Sequence, residues 1–241
     1  MRSEARIAAA SGVVFCLLFV VAMVLLDRAP HLDDPDSTYA AFYAHGGDGL
    51  FVAIGLYLVP LAGIAFLWHM TAIRAALDAL TPRPSGMAHG LNLLAGVVFV
   101  TMLFAGTAAV GAAAFASSRG STVPVDPATA RALTAVGYGL VFVFAVRGAG
   151  MFALTTTTLL HAGGVLSRVW AAVGWLLGAF LLLAATNDPA ALLVLPAWVL
   201  LVAVALLRHR TPAATPAATP AATTADAPAP VVDPASPVVE H

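Results

Sequence analysis

The stretch LTAVGYGLVFVFAVRGAGMFALTTTTLL, residues 133–160, decides how this chain is read. It is apolar along almost its whole length, broken by one arginine, Arg147, and by four consecutive threonines, Thr155, Thr156, Thr157 and Thr158. An α-helix rises about 1.5 Å per residue and the hydrocarbon core of a bilayer is about 30 Å thick, so about 20 such residues cross it. A charge at mid-bilayer costs about 2.5 to 3.5 kcal/mol on insertion scales, which makes an intramembrane arginine the mark of a functional site by default.

Five more apolar segments lie outward from this one, at residues 7–26, 50–70, 91–115, 169–186 and 190–207. They are solid apolar runs without the period-two alternation of barrel strands, so the sequence predicts an all-α, six-helix transmembrane bundle over residues 1–210. Composition agrees: 61% of the 241 residues are hydrophobic, 10% are charged and the mean hydropathy is +0.93, against about 25% charged in a soluble domain. The first segment follows Arg2 and Arg6 but is too long for a secretion signal and has no small-x-small cleavage site before Asp27, so it reads as a retained helix. A net charge of −1, with the arginines scattered over short loops, excludes a nucleic-acid partner. Cys16, the single cysteine, reads as a small buried hydrophobe.

Basic residues in short loops favour the cytoplasmic side. An inside N-terminus places Arg2, Arg6, Arg74, Arg83, Arg168, Arg208 and Arg210 in the cytoplasm and leaves Arg28, Arg119 and Arg131 outside, so both termini are expected inside a cell membrane, multi-pass. Residues 187–189 then form a tight outer hairpin. Trp68, Trp170 and Trp175 fall at segment ends, where aromatics settle at headgroup level. In the first outer loop Tyr39, Phe42 and Tyr43 share one helical face, with Asp36 or Ser37 as cap and His45-Gly46 as stop, predicting a short helix lying on the membrane surface. From residue 211 to 241 the repeat Thr-Pro-Ala-Ala and a Pro-rich end predict a disordered cytoplasmic tail.

Helix association in lipid relies on small residues. Gly174 and Gly178 form a GxxxG pair, read as intramolecular packing with a homodimer seam as the alternative, and Pro60 and Pro196 should kink their helices or free a carbonyl. The threonine block can bond back to the preceding turn, with Thr155 and Thr158 as candidates for lining a polar cavity. No carboxylate lies in the apolar core to meet Arg147, which leaves neutral partners such as Thr101 or Tyr57, an outer vestibule of water, or an anionic lipid or small anion. The structural alternative is an arginine satisfied by carbonyls and hydroxyls. His31, Asp33, Asp34, Asp36, His45 and Asp48 match no metal spacing, and His69, His89, His161 and His209 fall at the cytoplasmic boundary, where a polar-tipped ring is at home. The sequence offers no catalytic residue, metal or cofactor.

Four stretches carry a resemblance: AFYAH at 41–45, LVPLAGIAFLW at 58–68, YGLVFVFAVR at 138–147 running on to the threonines, and LPAW at 195–198. The chain resembles a group of uncharacterised six-helix integral membrane proteins of actinobacteria, over most of residues 7–210. His161 stands near a basic position of that group, and SRVW at 167–170 stands where a Pro-Arg-Trp type of sequence is usual. The resemblance implies an architecture and no reaction. The expected function is a non-enzymatic binding or accessory component that recognises an anionic lipid or small anion at Arg147, partnered by the bilayer and by a second copy or another membrane protein. A small transporter or transporter subunit is the alternative, and an intramembrane enzyme the third reading.

Overall fold

The computed structural model describes residues 2–26, 28–80, 86–118, 125–183 and 189–208, and among them every regular element is helical. The order is α1 (Arg2–Leu26), α2 (Asp36–Ala44), α3 (Asp48–Ala53), a first π-helical turn (Ile54–Leu58), α4 (Val59–Leu80), α5 (Gly86–Ser118) and α6 (Pro127–Tyr138). A second π-helical turn (Gly139–Ala145) leads into α7 (Val146–Ala162), followed by α8 (Arg168–Leu183), α9 (Pro189–Leu192) and α10 (Val194–Arg208). Arg83, Arg119, the 187–188 part of the hairpin and the 211–241 tail lie outside the described residues.

Among the described residues four helices are long and apolar enough to cross a membrane: Ser3–Leu26, Val59–Asp78, Gly86–Ser117 and the continuous Pro127–Ala162. This is the mark of a membrane protein. The fifth and sixth expected spans correspond to α8 and α10, which are apolar but have 16 and 15 described residues.

The helices depart from regularity beside the two prolines expected to disturb them. Pro60 has no amide hydrogen, and its ring crowds the turn before it. That turn is widened to π geometry, with the Val59 amide bonding to the Ile54 carbonyl five residues back. Pro196 sits in the first turn of α10, directly after a break at Leu193 that separates α9 from α10, so the missing donor falls where a helix start lacks partners anyway. The second π turn has no proline. There the Val146 amide bonds to the Val141 carbonyl.

The long helices run in alternating directions. Cross-contacts read backwards along each partner: Ala8 and Phe15 of α1 meet His69 and Phe66 of α4, Gly63 and Gly96 tie α4 to α5, and Asn92 and Gly148 tie α5 to α7. Phe66 is the hub of the core, with ring centroids 5.1 Å from Phe15, 4.9 Å from Phe99 and 5.0 Å from Phe152. Backbones touch where α5 crosses α6, since a Cβ on Gly137 would stand 2.6 Å from the Gly106 carbonyl oxygen. Gly174 and Gly178 are both taken up inside the chain, under Thr157 and Leu154 of α7.

Helix α2 is present, but its contacts differ from the expectation. Pro35 holds the N-cap position without a side-chain bond, and Asp36 instead pairs with Arg131 of α6 at 2.7 Å. Arg131 also donates to the Asp34 carbonyl at 2.7 Å and lies 5.0 Å over the Tyr39 ring. Tyr39 is therefore buried among Ala113, Ala130 and Tyr43 instead of facing headgroups, and the loss of water around it raises its hydroxyl pKa. The same cause pushes Tyr43 up to about 12.

Two predictions follow from these contacts. Gly137→Leu should lower stability by about 3 kcal/mol or prevent folding, because the new side chain meets backbone on α5; Gly49→Ala, with open space around it, should leave the melting temperature in the same detergent unchanged. Asp126 caps α6 through bonds from the Thr129 amide (2.9 Å) and hydroxyl (2.6 Å), which hold its carboxyl below the usual 3.8. Its folded pKa is the lower one, so the cap stabilises above 3.8 and is lost as pH falls through the depressed value. The protection factor of the Thr129 amide, its exchange rate relative to the intrinsic rate at the same pH, should fall on that acidification, and Asp126→Asn should remove the response.

Candidate functional site

The two π turns face the same space. Between α1, α5 and these turns lies a small, partly open apolar cavity. Phe19, Ala22, Met23 and Leu26 of α1 form one wall, and Leu103, Thr107 and Val110 of α5 another. Ile54 and Val59, the two residues joined by the first π-type bond, line it together with Tyr138 at the end of α6 and Val141 and Phe142 of the second π turn. Leu192, at the helix break, closes one side. A π turn carries more residues per turn than an α turn, so it widens the helix and turns adjacent residues such as Val141 and Phe142 toward one wall. The polar groups in the lining are few: Thr107 gives its proton to the Leu103 carbonyl at 2.6 Å, and Tyr138 completes the set.

Arg147 lies on the opposite face of the second π turn. It is half-buried, next to Val143 and Phe144, which are 40% and 54% exposed, and its Nη1 donates to the Val143 carbonyl at 2.6 Å. Side chains in a helix lean toward its N-terminus, so a residue four positions on is well placed to reach back to that carbonyl. Among the described residues no hydrogen bond joins Arg147 to Thr101, which is exposed on α5, or to Tyr57, which is 61% exposed on the first π turn.

The threonine block meets other partners. Asn92 of α5 donates to Thr156 Oγ1 at 2.6 Å and to Thr155 Oγ1 at 2.9 Å, and Thr155 passes its own proton to the Met151 carbonyl at 2.8 Å. The indole of Trp198 donates to Thr157 at 3.3 Å and that of Trp175 to Thr158 at 3.1 Å. These bonds form a polar layer at the opposite end of the bundle from the cavity, with Thr156, Thr157 and Trp198 fully buried. His69 is also fully buried, a correction to the boundary position expected of it: Nδ1 lies 2.7 Å from the Ala8 carbonyl, and the ring packs against Gly12 and Val199. His89 is buried as well, with Nε2 3.6 Å from Asp78.

Sequence reasoning missed Asn92 and Trp198 as polar partners. The signal was present for Asn92, since a lone amide inside an apolar run calls for a hydrogen-bond partner on a neighbouring helix. Among the described residues no three His, Cys, Asp or Glu side chains converge as metal ligands. Asn92→Ala should cost about 2 kcal/mol by removing donors to buried hydroxyls, read as a lowered melting temperature in detergent; an unchanged value would mean that the threonines are satisfied by their own helix. Compared with protein-family models, curated proteins and solved structures, the chain matches none, so its own residues carry the functional argument.

Proposed function

We propose that this chain is a non-enzymatic, multi-pass protein of the cell membrane that binds a ligand bearing a hydrocarbon chain, acting as a binding or accessory component. The single observation that carries the reading is the apolar cavity built by two π turns, because π turns recur at functional sites and a concave apolar space with few polar groups suits a ligand of that kind. An anionic lipid fits the wider proposal. Its hydrocarbon chain suits the cavity, and its headgroup or a small anion suits the guanidinium donors of Arg147 that the Val143 carbonyl leaves over.

The alternating helix directions support six crossings with both termini inside, counting α8 and α10 as spans. The 36-residue helix Pro127–Ala162 is about 54 Å long, well over the hydrocarbon thickness, so α6 with its Arg131–Asp36 pair would stand clear of the core on the outer side. Membership of the actinobacterial six-helix group belongs to the same proposal. A transporter is the second reading, favoured by the Leu193 break and both π turns meeting at one cavity, as irregular helices do around transported substrates.

Photo-cross-linking with a diazirine-bearing fatty acid in lipid nanodiscs, mapped by peptide mass spectrometry, tests the binding. Adducts should concentrate on the stretches around Ala22 and Val110, above the level at lipid-facing Leu176 and Phe180. Ala22→Phe combined with Val110→Phe should remove the cavity adducts by filling the space. Labelling no greater at the cavity than at Leu176 would sink the reading.

A further inference from the structure

Four residues that line the cavity, Leu26, Phe51, Val110 and Tyr138, belong to one small cluster with Phe42 and Tyr43 of α2. The rings of Phe42 and Tyr43 stand 5.5 and 6.5 Å from that of Phe51, so Phe51 joins the cavity wall directly to α2. With nine residues α2 is too short to hold as a helix alone, and its place depends on what it touches. Its buried contacts fall in two small clusters, around Phe51 and around Tyr39, both separate from the main core that contains Phe66. One side chain of α6 supplies the polar part: Arg131 pairs with Asp36, donates to the Asp34 carbonyl and covers the Tyr39 ring. We infer that α2 is a strap over this end of the cavity, latched by Arg131 and hinged at Gly46 and Gly47, and that a hydrocarbon chain enters and leaves as the strap lifts. The inference rests on the proposed binding of a hydrocarbon chain and adds how that site is reached.

The turn after α2 suits a hinge. Gly46 has φ +81°, a conformation that favours glycine, with open space around it. Gly47 has φ −62°, which any residue adopts, but a Cβ there would stand 2.5 Å from the Phe42 ring. The closed strap thus lays its own ring across the bare backbone of its hinge, and the missing side chain at residue 47 is a requirement of the closed position. The long helices have less freedom. Backbones touch between α5 and α6 at Gly106 and Gly137, and between α5 and α7 at Phe99 and Gly148, so parting them breaks contacts of the bundle itself. Lifting α2 breaks the bonds of one arginine and a few ring contacts, and the Asp36 side chain is already 66% exposed, so water takes over its part of the pair. Phe51 is then the wall residue left free to swing. Neither Phe42 nor Tyr43 is among the described residues that line the cavity, so the strap meets the wall and not the chain. A gate of that kind sets how fast a chain exchanges and leaves its affinity nearly alone, as long as the closed form stays the major one.

The test uses the full chain in nanodiscs, wild type against three variants. Arg131→Met keeps an aliphatic stem and removes the latch donors, Gly47→Ala drives the Phe42 ring off the hinge, and Gly49→Ala, with open space around it, is the control. Each protein is loaded with the diazirine fatty acid, chased with unlabelled fatty acid and flashed at intervals. The decay of cavity adducts gives the release rate, and their level before the chase gives the occupancy. Release should quicken about tenfold in Arg131→Met, as expected from losing charge-assisted bonds, and to a smaller extent in Gly47→Ala, with occupancy within about twofold of wild type. Gly49→Ala should match wild type. Hydrogen–deuterium exchange of the amides at 38–44 should quicken in Arg131→Met and Gly47→Ala, and that of α7 should not. Quickened exchange in α2 with unchanged release overturns the inference, because the chain then passes between the long helices; so does unchanged exchange in α2, or release that quickens only as occupancy falls in proportion. Cavity adducts absent from wild type within the loading time but present in both loosened variants support the strap. Their absence from every protein rejects the binding reading and the inference together. Melting temperatures identify a variant that has failed to fold, and the other variant then decides.

Discussion

Polar side chains inside lipid must find partners within the protein, and the placement of polar groups in this bundle follows from that requirement. Arg147 reaches the Val143 carbonyl, Thr107 that of Leu103, and His69 that of Ala8 on another helix. Even Cys16, the one thiol, lies 3.4 Å from a backbone carbonyl of another helix, that of Pro196. A polar residue among apolar helices is thus not by itself evidence of a ligand. In this chain its first partner is usually the backbone.

The same requirement divides the bundle into two ends of different character. At one end Asn92, three threonines of the block and the Trp198 indole satisfy one another across α5, α7 and α10, so that backbone and side-chain groups are closed off and the helices are held in register. At the other end the helices widen at two π turns and break at Leu193, and the space between them is apolar. The aromatic cluster around Phe66 lies between these ends and joins α1, α4, α5 and α7. Close backbone contacts at Gly137 and Gly148 fix the helix on either side of the second π turn.

The helical class was legible because long apolar runs leave one solution for the backbone, and the positions of Pro60 and Pro196 announced two of the three irregularities. The second π turn was not legible. Residues 139–145 read GLVFVFA, which carries no breaker beyond its first glycine, so nothing local marks the turn. The cavity was hidden for a related reason: it is the space left between five elements, and no local pattern encodes a volume. The Arg147 stretch was legible as a place, but its hydrogen-bond partner was sought on other helices when a carbonyl four residues back in its own helix was within reach. His69 shows the opposite error, since its position near the end of an apolar segment suggested an interface while Gly12, across the α1 contact, leaves room for the ring to be enclosed.

What remains is why residue 147 is an arginine when a hydroxyl satisfies the equivalent carbonyl at Leu103. The two sites differ in their surroundings. Thr107 faces the cavity, where a bulkier donor would fill the space it borders, whereas Arg147 stands beside the exposed Val143 and Phe144 and has room for a long side chain. A guanidinium carries five donors and only one meets Val143, so the others remain directed to the outer face of the helix. A residue that needed only to satisfy that carbonyl would carry its charge at a cost in lipid with no return, so the proposed meeting with an anion falls on the outer face of this helix and not at the Val143 carbonyl.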